Sequence, residues 1–189
     1  MIFRETKLKG AFIIDPERLE DGRGFFARTS CQQEFQSHGI DFRIVQSSIS
    51  FNTKKGTLRG MHYQVAPYEE PKLVRCTGGA IYDVVIDLQR ESPTFKLWIA
   101  NELTADNRRM VYIPKGFAHG FQTLEDNTEV FYQMSEFSHP DCARGVRWDD
   151  PFFGIKWWAP PAVISKSDMS FPPFKEEGYD RSGAVATQR

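Results

Sequence analysis

Turn-forming residues interrupt this chain about every ten residues, and the runs between them are too short and too β-branched to prefer helices. Asp15-Pro16, Asp21-Gly22-Arg23-Gly24, the stretch from Asn52 to Gly56, Gly78-Gly79 and Ser92-Pro93-Thr94 are the clearest interruptions. Between them the sequence predicts strands over 42–51, 57–64, 72–77, 80–88, 96–103, 110–113, 118–124 and 128–137. One or two more fit within 2–14, and another starts at Phe25. A short helix fits 30–38, stopped at Gly39. Past Pro140 the chain turns to coil rich in proline and tryptophan, suited to packing across a β core with a short helix or two. The expected fold class is all-β, a sandwich or barrel with a few short peripheral helices. At 189 residues one sizeable core is affordable. We expect a single domain over 1–189, its barrel core at about 40–140, with segment 141–189 packed on it and a frayed tail over 179–189.

Charge and cysteine usage narrow the function classes. A formal net charge of -1 lacks the clustered basic excess of a nucleic-acid binder, so no nucleic-acid partner is expected, although a local basic pocket is compatible with it. Cys31, Cys76 and Cys142 show no CxxC spacing and read as reduced thiols, hence a cytoplasmic location. No apolar run approaches membrane-spanning length, so no membrane partner is expected.

Strand parity locates candidate chemistry, because alternate side chains face opposite sides. Tyr132 shares a face with Val130 and Met134, which points it inward with a hydroxyl in need of a partner. Parity groups His62 with Leu58 and Gln64, Lys72 with Val74, and His119 with Phe117 and Phe121. It puts Arg59 on the face opposite His62, unless Gly60 carries a bulge. If the inner faces converge, one cavity holds two histidines, a lysine and a tyrosine. Each has a bland alternative: a hydrogen-bonded core histidine, an inward tyrosine, a solvated strand-start lysine, and for Asp168 a turn or helix cap.

Metal and nucleophile chemistry find less support. Pro114-x-Gly116-x-x-His119 resembles the second motif of the cupin barrels, whose first motif supplies HxH plus a glutamate. Here His62-Tyr63-Gln64 stands in that place, and two histidines fall short of a protein-derived ligand set, so no metal is expected. No Gly-x-Ser-x-Gly elbow, Walker motif or dinucleotide glycine pattern is present.

An ordered set of motifs then identifies a resemblance. Asp21-Gly22-Arg23-Gly24-Phe25-Phe26, Gln46-Ser47-Ser48-Ile49-Ser50, the stretch from Gly56 to Gln64, Lys72-Leu73-Val74-Arg75, the stretch from Asp83 to Asp87, Ser92-Pro93-Thr94-Phe95, the stretch from Ile113 to Phe121, Tyr132 and Trp148-Asp149-Asp150-Pro151 follow one another as in the dTDP-4-dehydrorhamnose 3,5-epimerases. The resemblance implies a cupin-like double-stranded β-helix (jelly-roll) barrel, a homodimer, no cofactor and a nucleotide-sugar substrate. It implies epimerisation at C3 and/or C5 of an NDP-4-keto-6-deoxyhexose, foremost dTDP-4-dehydro-6-deoxy-D-glucose to dTDP-4-dehydro-L-rhamnose.

Residue by residue, the resemblance makes His62 the base and Asp168 its orienting carboxylate. Lys72 becomes the cation near the C4 oxygen, and Tyr132 the acid on the opposite sugar face. Arg23, Gln46, Arg59 and His119 match substrate-binding positions, as do Arg28 and Ser48, where the family commonly has Glu and Asn. Ala143 stands where Glu is common, and Ser167 where a basic residue is common. A C3-only epimerase, a 3,4-ketoisomerase, a substrate carrying CDP, and a non-catalytic sugar-nucleotide binder are the alternatives.

Overall fold

The computed structural model describes residues 1–175, and the expected frayed tail lies outside the described residues. In chain order the first strands are β1 (Ile2–Glu5), β2 (Phe12–Asp15), β3 (Arg18–Asp21) and β4 (Gly24–Ala27). Helix α1 (Gln32–Ser37) separates them from β5 (Gln46–Asn52), β6 (Thr57–Gln64), β7 (Lys72–Gly78) and β8 (Ala80–Asp87). Then come β9 (Trp98–Thr104), β10 (Met110–Ile113), β11 (Phe117–Thr123) and β12 (Thr128–Met134). A 3-10 turn at Pro140–Cys142, β13 (Ala143–Gly145), β14 (Val163–Ile164) and α2 (Lys166–Met169) complete the order.

Two six-stranded sheets face each other in a cupin-like barrel. One runs β1-β2-β10-β7-β12-β5; the other runs β13-β6-β11-β8-β9, with β14 beside β6. β3 and β4 form a separate hairpin. Since β1, β2, β13 and β14 belong to the sheets, the barrel draws on both ends of the chain and exceeds the 40–140 span.

Three apolar layers follow from strand alternation. Val74, Val111 and Val130 of one sheet meet Val85, Phe117 and Phe121 of the other in the barrel interior. On the outside of the first sheet, α1 seats Phe35 against Phe12, Leu73 and Tyr112. The proline- and tryptophan-rich segment covers the outside of the second, where Val146, Phe153 and Trp157 close over Met61, Val84 and Ile86. Phe121 is 1% exposed, and truncating such a side chain to alanine costs about 3–5 kcal/mol.

Most expected strands lie within a few residues of the observed ones. Two differences have plain causes. β3 went unanticipated because all four of its residues are exposed and carry no burial pattern. The strand expected from residue 42 begins at Gln46, because Phe42 turns away to pack beneath α1.

Candidate active site

β6 carries the central histidine, and strict alternation fails along it. His119 pairs with His62, but Phe121 pairs with Arg59, so three steps along β6 match two along β11. That mismatch is a β-bulge. Gly60 lies within it at φ +126°, and an added Cβ would sit 2.5 Å from the Gly120 Cα, so the approach of the two strands requires glycine. The bulge puts Arg59 and His62 on the same inner face, while Leu58 faces outward with its partner Gln122. Parity therefore misplaced both Leu58 and Arg59 relative to His62.

β14 lies parallel to the start of β6 and delivers α2 to the same place. Ser165 caps that helix by accepting from the Asp168 amide at 3.0 Å, which leaves the Asp168 side chain free for other work. Its Oδ1 lies 2.8 Å from His62 Nε2, and its Oδ2 accepts from the Gly60 amide at 3.2 Å. Both carboxylate oxygens are thus engaged, and Asp168 is 5% exposed. With Nε2–H directed at Asp168, the network assigns His62 a bare Nδ1.

His62 is not sealed in: 47% of its side chain is exposed, and that face opens onto a cavity. The ring is otherwise enclosed by protein, and this desolvation is the main force holding its pKa below the usual 6.5. The Asp168 hydrogen bond and charge push upward, whereas Lys72 and His119 add to the lowering. A neutral imidazole at neutral pH with a free nitrogen can accept a proton. Phe171, which the sequence reading missed, stands edge-on to His62 at 5.9 Å. It fits only because position 145 is glycine, where a Cβ would meet its ring at 2.2 Å.

A second histidine–aspartate pair lies next to the first, across the strand pairing of His62 with His119. His119 Nε2 is 2.6 Å from Asp83 Oδ2. The His119 ring stands edge-on to Tyr132 at 6.0 Å. Desolvation first, and then the Asp83 charge, raise the Tyr132 phenol well above its ordinary pKa, with Arg59 opposing. Tyr132 therefore keeps its proton at neutral pH.

His62, Gln64, Glu70, Lys72, Ser138 and Arg144 are among the residues lining the cavity, of about 390 Å³. A larger cleft, about 810 Å³, lies elsewhere beside Lys9, His38, Tyr112 and Lys115 and shares no lining residue with it. The larger cleft has no histidine–carboxylate pair in its wall, so chemistry and not size picks out the site. Lys72 is only 14% exposed, which overturns the solvated strand-start alternative. Glu70 lies 3.0 Å from it and was also missed by the sequence reading. Among the described residues, no three His, Cys, Asp or Glu side chains converge as a metal site would need.

The remaining candidates divide. Arg59 donates through Nε to Asn52 at 2.7 Å, and its charge reaches Tyr132. Gln46 and Ser48 sit on β5 opposite Met134 and Tyr132, on the inner face. Of the expected two histidines, lysine and tyrosine, only His62 and Lys72 line the cavity; His119 and Tyr132 lie outside its lining, as do Arg59, Gln46 and Ser48. Arg23 and Arg28 are not brought to the cavity either. Arg23 lies at the turn between β3 and β4, bound to Asp21, and Arg28 is bound to Glu34 of α1.

Comparison with known proteins points to one family. The sequence model for dTDP-4-dehydrorhamnose 3,5-epimerase matches residues 5–176. The enzyme of that name from Methanothermobacter thermautotrophicus is 41% identical over 92% of this chain and 95% of its own. A Bacillus anthracis dTDP-4-dehydrorhamnose 3,5-epimerase structure with TDP and PPi bound is 38% identical, with a TM-score of 0.88 over 92% of this chain and 99% of that one. A Streptomyces bikiniensis 3'-monoepimerase in complex with dTDP-quinovose superimposes with a TM-score of 0.81 at 30% identity, over 89% of this chain and 85% of that one. This chain, with its paired His62–Asp168 and His119–Asp83, belongs to the dTDP-4-dehydrorhamnose 3,5-epimerase family.

Proposed function

We propose that this protein inverts C3 and C5 of a nucleotide-linked 4-keto-6-deoxyhexose, converting dTDP-4-dehydro-6-deoxy-D-glucose to dTDP-4-dehydro-L-rhamnose. The observation that carries the reading is the placement of a neutral, Asp168-oriented His62 in one cavity with Lys72; the protonated Tyr132 stands edge-on to His119, the strand partner of His62. Carbon-bound hydrogen beside a ketone is weakly acidic, so a base and an oxyanion partner must act together. His62 Nδ1 takes the proton from the carbon next to C4, and the released pair moves onto the C4 oxygen as an enolate. The Lys72 ammonium offsets that negative charge. Tyr132 returns a proton to the same carbon from the other sugar face, which inverts it. Exchange with water then resets the imidazolium and the phenolate. No cofactor enters these steps.

Arg59, Gln46, Ser48 and His119 supply polar groups for the sugar and its diphosphate, the guanidinium being suited to phosphate oxygens. The chain also forms a homodimer in this reading. Support comes from the apolar residues left exposed on the hairpin and on edge strand β5: Leu19 67%, Phe26 72%, Ile49 63% and Phe51 52%. Substrate contact by Arg23 and Arg28 requires a second copy to bring a hairpin to the cavity. A cytoplasmic location fits three free cysteines, and among the described residues no helix is long and apolar enough to cross a membrane.

Proton NMR in deuterated water, with the dTDP and CDP 4-keto-6-deoxyglucoses offered separately, tests the reading. Deuterium at C3 and C5 of the dTDP sugar is expected. Ala143 and Ser167 both line the cavity, so deuterium in the CDP sugar alone would assign the changed nucleotide to that wall. Exchange at C3 only would make the protein a monoepimerase, and exchange with neither sugar would overturn the proposal.

A further inference from the structure

The cavity contains one charge pair that the proposed reaction leaves unexplained. Glu70 and Lys72 flank Pro71, and in an extended chain residues two apart face the same way. Lys72 Nζ lies 3.0 Å from Glu70 Oε2, with side chains 14% and 10% exposed. The loop that presents Glu70 is held on both sides. Gln64 Nε2 donates to the Tyr68 carbonyl at 2.8 Å, and the Ser135 amide donates to the Pro71 carbonyl at 3.2 Å. The Tyr68 ring also stacks on His139 at 3.5 Å. An exposed ion pair contributes little because water screens it, but removing one partner of an enclosed pair strands the other charge.

Among the described residues no other carboxylate is paired with Lys72. Its neighbours across β10 and β12 are Ile113 and Met134. The other ionisable groups of the cavity are His62, whose carboxylate partner Asp168 is engaged through both oxygens, the Tyr63 phenol, and cationic Arg144 on β13. Glu70 is the carboxylate in contact with the ammonium.

We propose that Glu70 is a positioning residue that holds the Lys72 ammonium in place, aimed at the reacting ketone. The purpose assigned to Lys72 rests on the epimerase reading; the coupling of the pair does not. A fixed ammonium meets the developing enolate without reorientation.

The test is competitive acylation with trace acetic anhydride on the folded full chain, reading each lysine by mass spectrometry. Wild type, Glu70→Gln and Glu70→Asp are compared, with exposed Lys54 and Lys156 as internal controls. Labelling of Lys72 relative to the controls is expected to rise several-fold in Glu70→Gln, because a side chain released from its carboxylate meets the reagent more often. Glu70→Asp should restore most of the protection, with the control lysines unchanged. In the deuterium-exchange assay Glu70→Gln should lower kcat with KM nearly unchanged, and Glu70→Asp should recover most of it, whereas a merely structural role would lower kcat and Tm together without rescue. Unchanged Lys72 labelling in a folded Glu70→Gln protein overturns the proposal. Failure of the epimerase reading looks different: no sugar takes up deuterium in wild type, yet Lys72 labelling still rises in Glu70→Gln.

Discussion

The barrel holds two histidine–aspartate pairs on neighbouring strands, and they live in opposite environments. His119 and Asp83 are 4% and 0% exposed, bonded at 2.6 Å, with Phe121 and Val85 of the core cluster beside them in the strand ladder. His62 and Asp168 share nearly the same bond, 2.8 Å, but the His62 side chain is 47% exposed toward the cavity. Among the described residues Asp83 Oδ1 has no hydrogen-bond partner, whereas Asp168 uses both of its oxygens. In the proposed reaction the same two residue types serve two ends. An imidazole that reaches the cavity exchanges protons with a ligand, whereas one walled in by core residues offers only a polar contact. Exposure of one ring edge, not the presence of the dyad, draws that line.

Substitutions that treat the two pairs alike should break them apart. The largest effect belongs to His62→Ala, which should lower proton exchange at the sugar by about 10³-fold while leaving nucleotide affinity nearly unchanged, checked by deuterium uptake and calorimetry. Asp168→Asn should lower exchange by about 10²-fold through loss of the oriented tautomer, visible in kcat with little change in KM. Because Asp168 raises the His62 pKa, the same substitution should move the acid limb of the pH profile to lower pH.

Stability should show the reverse ranking. Asp83→Ala strands a buried imidazole N–H and should cost about 1–3 kcal/mol, read as a fall in Tm. Asp168→Asn should cost less than half as much, because it keeps an acceptor for the Gly60 amide and leaves His62 open to cavity water. Equal losses of Tm in the two variants would erase the difference between the pairs.

Acid sharpens the comparison further. The native state holds the His62 pKa below 6.5, so the unfolded chain binds this proton more tightly. Stability from this group is therefore full above pH 6.5 and is lost as pH falls from there toward the lowered native value. Denaturant melts between pH 5 and 7 should show this slope in wild type and a shallower one in His62→Ala. The smallest effect concerns the assembly. Phe26→Glu with Ile49→Glu should shift the proposed dimer toward monomer in light scattering, with the fold intact by circular dichroism, because both positions are exposed in the isolated chain.

Legibility followed the physics of each element. β6 at 57–64 and β10 at 110–113 were readable to the residue, because glycine- or proline-bearing turns bound them and their apolar content is high. β3 carries no apolar alternation, and only its pairing with β4 makes it a strand. The polar members of the site were nameable from motifs. Phe171 and Glu70 were not, since neither stands in a chemical motif of its own, and each gains meaning only from what it touches.

What the amino-acid order determined by itself is the β class, the near-complete set of strands and the residue types capable of moving a proton, because turn chemistry and side-chain alternation are local. Tertiary structure decided the rest. The bulge at Gly60 put Arg59 on the same face as His62 against the parity of the strand. Chain folding brought Asp168 across 106 residues to His62 and left one histidine open while enclosing the other. Those outcomes depend on distances between segments remote in sequence, and neither propensity nor period encodes them.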